Sequence, residues 1–104
     1  MNYGILRHMK ATPVIRDRIR FADGAIIDIK VWRVPRPVPP ATHDLKYSLF
    51  YGRPGERIVA YDNERGKGDH RHVGHLEESY AFTTIERLLA DFRADVETLR
   101  GEAI

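Results

Sequence analysis

Apolar residues follow two different periods along this chain, and one stretch between them follows none. From Val14 to Tyr61 they alternate with polar residues, the period of a strand with one buried face. In 14–21, Ile15, Ile19 and Phe21 point one way and Arg16, Arg18 and Arg20 the other. Asp17 interrupts the apolar face, which predicts a strand near a sheet edge. Asp23-Gly24 predicts a hairpin turn, because both residues tolerate the positive φ of tight turns. A second strand is predicted over 25–34, with Ile27, Ile29 and Val31 on its core face. Pro35, Pro37, Pro39 and Pro40 then stop the sheet, since proline donates no ladder hydrogen bond. A third strand over 45–51 puts Leu45, Tyr47, Leu49 and Tyr51 on one face. Arg53-Pro54-Gly55 is a turn, and 57–61 its partner strand.

The second period begins at Ile85. Ile85, Leu88, Leu89, Phe92, Val96 and Leu99 recur at helical spacing and form one apolar stripe. Thr83 with Glu86 reads as a capping box, and Gly101 as the C-terminal stop. A helix is predicted over 84–100, its stripe packed on the sheet as core. The expected architecture is α+β: an antiparallel sheet of about four strands covered by one long C-terminal helix. It makes a single domain, because the segment beyond the prolines is too small to fold alone.

The stretch 62–79 is polar and glycine-bearing. It predicts a functional loop, since long loops inside compact domains commonly carry function. Residues 1–13 show no clear period. Met9-Lys10 could be a second start, which makes 1–8 an extension.

Composition narrows the chemistry. There is no Cys among 104 residues, so disulfides, thiol nucleophiles and thiolate metal sites are excluded. No apolar run approaches the roughly 18 residues of a membrane span. Arg7, His8 and Lys10 interrupt any signal-peptide core. A cytoplasmic location is expected. Net charge is +2, but unevenly spread: residues 1–52 carry nine Lys and Arg against four Asp and Glu, and 53–104 eight against eleven. A basic N-terminal half suits an anionic partner such as RNA. It equally suits a merely solvated sheet face.

Candidate chemistry concentrates in 61–75. Three of the chain's five histidines fall there within six residues. One reading is acid–base catalysis on RNA without a cofactor. His70 and His72 would be base and acid, and Asp62 would orient one of them. Arg65, Lys67 and Arg71 would bind phosphate. Arg16, Arg18 and Arg20 would hold flanking phosphates, and Tyr61 or Tyr47 would stack a base. Another reading is a metal site made by His70, His72 and either Asp62 or His75, opposed by the charges of Lys67 and Arg71. The third is a structural loop in which Asp62 and Asn63 end a strand and the glycines only turn. Gly66-Lys67-Gly68 is not a nucleotide-binding phosphate loop, because the spacing and the following Ser or Thr are missing.

One resemblance cuts across these readings. It rests on Trp32-Arg33-Val34-Pro35, Tyr47, the Asp62-Asn63 and His70-Arg71-His72 elements, and Tyr80-Ala81-Phe82-Thr83 leading into Leu88-Leu89-Ala90-Asp91-Phe92. From about Lys10 to Leu99 this pattern resembles the TumE family, small toxin components of bacterial toxin–antitoxin systems, also described as a domain of unknown function. The resemblance implies a toxin with a separately encoded antitoxin, typically a helix-turn-helix protein. It brings no mechanism with it. Ribonuclease action enters only by analogy with other small toxins. The leading expectation is therefore a toxin that cleaves RNA through His70 and His72, without metal. A non-catalytic nucleic-acid or protein-binding module and a small metal-dependent hydrolase are the alternatives. A homo-oligomer is compatible with all three.

Overall fold

The computed structural model describes residues 11–104. The expected extension over 1–8 and the alternative start at Met9 lie outside the described residues. Six strands follow one another in sequence and in space: β1 Thr12–Arg20, β2 Ile26–Arg33, β3 Leu45–Arg53, β4 Glu56–Glu64, β5 Gly68–Val73 and β6 Leu76–Ser79. Every neighbouring pair is antiparallel, so the sheet is a simple meander. One helix, α1 Ile85–Arg100, follows it.

The sheet thus has six strands rather than about four, and the expected loop over 62–79 is mostly strand. β4 runs on to Glu64, and Arg65-Gly66-Lys67 make a tight turn into β5. The apolar pattern misses β5 for a physical reason. Its two faces carry His70 with His72 and Asp69 with Arg71, so neither face announces itself as core. β6, Leu-Glu-Glu-Ser, is exposed throughout and lies at the edge.

Register defines the two faces, because directly paired residues share a side. Ile27, Ile29 and Val31 pair with Tyr51, Leu49 and Tyr47. Tyr51 and Leu49 pair with Val59 and Tyr61, and those with Val73 and Arg71. This is the face that α1 covers. Leu88, Phe92 and Val96 are the buried residues of α1, and the Phe92 ring meets Tyr61 edge-on at 5.9 Å. Leu99, expected in the stripe, is 46% exposed, because the four-residue spacing from Leu88 through Phe92 and Val96 turns Arg100 toward the sheet instead, its guanidinium 3.8 Å from the Phe21 ring centre. The N-cap is Thr84, whose Oγ1 accepts from the Arg87 backbone N–H at 3.1 Å, rather than Thr83. Gly101 closes the helix in the left-handed conformation, φ 76°.

The opposite face carries no helix among the described residues. The proline crossover reaches its margin: Pro39 accepts from the Gly66 backbone N–H at 2.9 Å. Two rows cross this open face strand by strand. One runs Arg16, Lys30, Ser48, Asp62, His70, Ser79, and the other Arg18, Asp28, Phe50, Ala60, His72, Glu77.

Candidate metal centre on the open face

Asp62 and His70 are direct cross-strand partners on β4 and β5. His72 lies two residues further along β5, hence on the same side. The ligating atoms of Asp62, His70 and His72 all lie within 4.8 Å of one another. Both imidazoles are almost covered, 5% and 6% exposed. Their rings meet edge-on, with centroids 5.1 Å apart.

The hydrogen bonds place one ring hydrogen. His70 Nδ1 lies 3.0 Å from the Gly68 carbonyl oxygen. A carbonyl only accepts, so Nδ1 carries the hydrogen. In the neutral ring Nε2 is then a bare lone pair, and it sits 2.7 Å from Asp62 Oδ1. Both atoms are buried, and neither is in hydrogen-bonding geometry with any partner. A contact this close needs a positive species, either a proton on Nε2 that makes an imidazolium–carboxylate pair or a cation between or beside the two atoms. Glu77 and Glu64 deepen the negative field, at 3.9 and 4.0 Å from His70 Nε2. Glu77 also lies 3.5 Å from His72 Nε2.

Burial holds the His72 pKa below its ordinary value, reinforced by Arg57 and His70 and opposed by Glu77 and Asp62. Burial pushes Glu77 up, but the hydrogen bond and charge of Lys67, with the two histidines, outweigh it and bring the carboxyl below its usual range. A divalent cation takes imidazole in its neutral form and carboxylate in its ionised form, the directions in which His72 and Glu77 are shifted.

The set also fits a cation geometrically. Four ligands at about 2.1 Å in a tetrahedron stand about 3.4 Å apart, so shifts of roughly an ångström close the cluster on an ion. The Nδ1–H bond to the Gly68 carbonyl fixes ring and tautomer as outer partners of metal-bound histidines do. Gly68 can hold that carbonyl in place because its backbone is left-handed, φ 78°.

The other expected residues are dispersed. His75 is exposed in the turn between β5 and β6, beside Glu56 and Arg57 rather than the cluster. Arg65 and Lys67 are exposed in the turn before β5, and Lys67 Nζ reaches Glu77 at 3.4 Å. Arg71 projects to the helix side, bound to Glu78 at 2.8 Å and Asp95 at 3.2 Å. Tyr47 and Tyr61 are on that side too, each 1% exposed. Tyr47 donates to Asp69 at 2.6 Å, and Tyr61 to Asp95. Both are core residues with bonded hydroxyls and offer no open ring face. Arg16, Arg18 and Arg20 are exposed on β1, on the same side of the sheet as the cluster.

Two groups carry no signal in the sequence. Glu77 joins the cluster because β6 pairs it with His72, and no spacing points to it without β6. His43, Asp69 and Tyr47 form a second network, with His43 Nε2 2.8 Å from Asp69 Oδ1 and Phe82 packed on the His43 ring at 4.1 Å. Its bonds are mutually satisfied, and it fastens the proline crossover to β5.

Fold and site together define a small α+β protein with one sheet face that no helix covers among the described residues and a His–His–carboxylate cluster on it. A family model described as Toxin TumE matches residues 2–100. The chain belongs to the TumE toxin family. No curated protein and no solved structure matches it significantly. No helix among the described residues is long and apolar enough to cross a membrane.

Proposed function

We propose that this toxin cleaves RNA phosphodiester bonds at the Asp62–His70–His72 centre, with a divalent cation held there and Glu77 at its open side. The observation that carries this reading is the convergence of the Asp62, His70 and His72 ligating atoms within 4.8 Å, with Asp62 Oδ1 and His70 Nε2 buried outside hydrogen-bonding geometry. Two imidazoles with carboxylate and no thiolate suit zinc or a related first-row ion. Such a cation supplies Lewis-acid activation of a phosphoryl oxygen or of water. The chain's own residues do the rest. Asp62 and the two histidines bind the ion, Gly68 orients His70, and Glu77 with Lys67 lines the approach.

The metal-free route needs one imidazole on each side of a reacting phosphate. Here the ligating atoms of both rings lie within 4.8 Å of each other and of Asp62, and both rings are almost covered, which favours the cation. A toxin of this family calls for a cognate antitoxin, and a helix-turn-helix protein is the expected one.

The test uses the purified full chain and a single-stranded RNA. Cleavage that needs bound metal, stops in chelator and returns with zinc or manganese is the expected result. Cleavage by metal-free protein, unchanged in chelator, would return His70 and His72 to acid–base roles. No cleavage under any condition would leave a binding module.

A further inference from the structure

Five of the nine basic residues in the N-terminal half share one face of the sheet. Register places Arg16, Arg18 and Arg20 on β1, Lys30 on β2 and Lys46 on β3 all on the open face. Against these five cations the same face of β1–β3 carries one carboxylate, Asp28, paired with Arg18 at 3.1 Å and near Lys30 at 3.9 Å. Arg16 and Arg20 pair with no carboxylate among the described residues. Trp32 stands among them, half-buried, with the Arg16 guanidinium 5.8 Å from its ring centre. Arg16, Lys30 and Ser48 lie on the very row that continues into Asp62 and His70. At about 4.8 Å per strand, Arg16 is about 14 Å from Asp62.

Resting on the function proposed above, we propose that this face is a track for single-stranded RNA, with Trp32 as its base-stacking platform and Arg16, Arg20 and Lys30 as phosphate contacts. The strand would cross β1–β3 and deliver a phosphodiester to the cluster on β4 and β5. Three features select this occupant. A bare sheet with an aromatic ring binds splayed bases, which a duplex keeps stacked inside. Cations placed strand by strand follow a backbone that carries a charge at every nucleotide. An acidic protein segment would use the cations but would leave Trp32 without a stacking partner.

Trp32 is the chain's one tryptophan, so its fluorescence reports this face directly. The full chain in chelator is titrated with a 2′-O-methyl single-stranded oligonucleotide, which resists cleavage. Trp32 fluorescence is expected to be quenched on binding. Trp32→Leu should weaken binding by roughly tenfold. Arg16→Gln/Lys30→Gln should weaken it and lower the salt dependence by about 0.7 for each phosphate no longer neutralised. A duplex of the same sequence should compete poorly. Binding without Trp32 quenching, or with the salt dependence unchanged in the double variant, would overturn the track. Equal quenching by polyglutamate, with none by the oligonucleotide, would assign the face to an acidic protein and overturn it as well. Because these measurements involve no turnover, RNA binding without cleavage would keep the track and refute the catalytic reading. Cleavage with Trp32 indifferent would do the reverse.

Discussion

The Asn63 side chain stands in for a missing piece of backbone ladder opposite Tyr47. Its Oδ1 accepts from the Tyr47 backbone N–H at 3.0 Å, and its Nδ2 donates to the Leu45 carbonyl at 2.7 Å. Regular β3–β4 pairing ends one residue earlier, at Ser48 and Asp62. The amide therefore continues the ladder just where Asp62 is aimed at the cluster. Asn63 is fully buried, so its loss strands two backbone groups. Asn63→Ala is expected to cost about 2–4 kcal/mol, read from denaturant unfolding. A cost near zero would mean that the ladder closes without the amide.

The cluster predicts stabilisation by metal. A cation that binds only the folded chain adds about 2.7 kcal/mol at a hundredfold excess over its Kd. For a domain this size that raises Tm by roughly 10–20 °C. Zinc should give this shift with the wild type and not with Asp62→Asn. Calorimetric titration should show one site per chain, weakened about a hundredfold or more by the same substitution. An equal Tm shift in the variant would place the metal elsewhere.

Gly68 couples the proline crossover to the cluster. A Cβ there would meet Pro40 Cγ at 3.1 Å, on a backbone that is left-handed at φ 78°. Gly68→Ala should destabilise by about 1–2 kcal/mol from the backbone alone. It should also weaken zinc binding, because the Gly68 carbonyl orients His70. Loss of stability with unchanged metal affinity would show that the carbonyl is not needed for orientation.

Three tyrosines should resist alkali. Burial, and then a hydrogen bond to a carboxylate, raises the pKa of Tyr47, Tyr61 and Tyr80, their partners being Asp69, Asp95 and Asp91. A raised folded pKa means that the phenol proton is held more tightly folded than unfolded. The resulting stability is complete below the unfolded value of about 10 and is lost as pH rises beyond it. Near-ultraviolet titration should therefore show these three protonated at about pH 11, with their ionisation coinciding with unfolding. Phenolate appearing near pH 10 in folded protein would contradict the buried networks.

Much of the fold is legible in the residue pattern. Alternation in Ile27, Ile29 and Val31 and in Leu45, Tyr47, Leu49 and Tyr51 marks β2 and β3, because water-excluded faces impose period two. The stripe through Leu88, Phe92 and Val96 marks α1 for the same reason at another period. The sequence also singles out Asp62, His70 and His72 by the density of polar groups around them. It does not show that Asp62 faces His70, that Arg71 and His75 point elsewhere, or that Glu77 belongs. Those outcomes depend on cross-strand register through a polar hairpin, and a one-residue slip would turn every side chain to the other face. The chain itself determined which residue types are present and which segments must bury an apolar face. Only the tertiary structure decided which polar groups meet, because register is set by pairing between strands and not by the spacing within one.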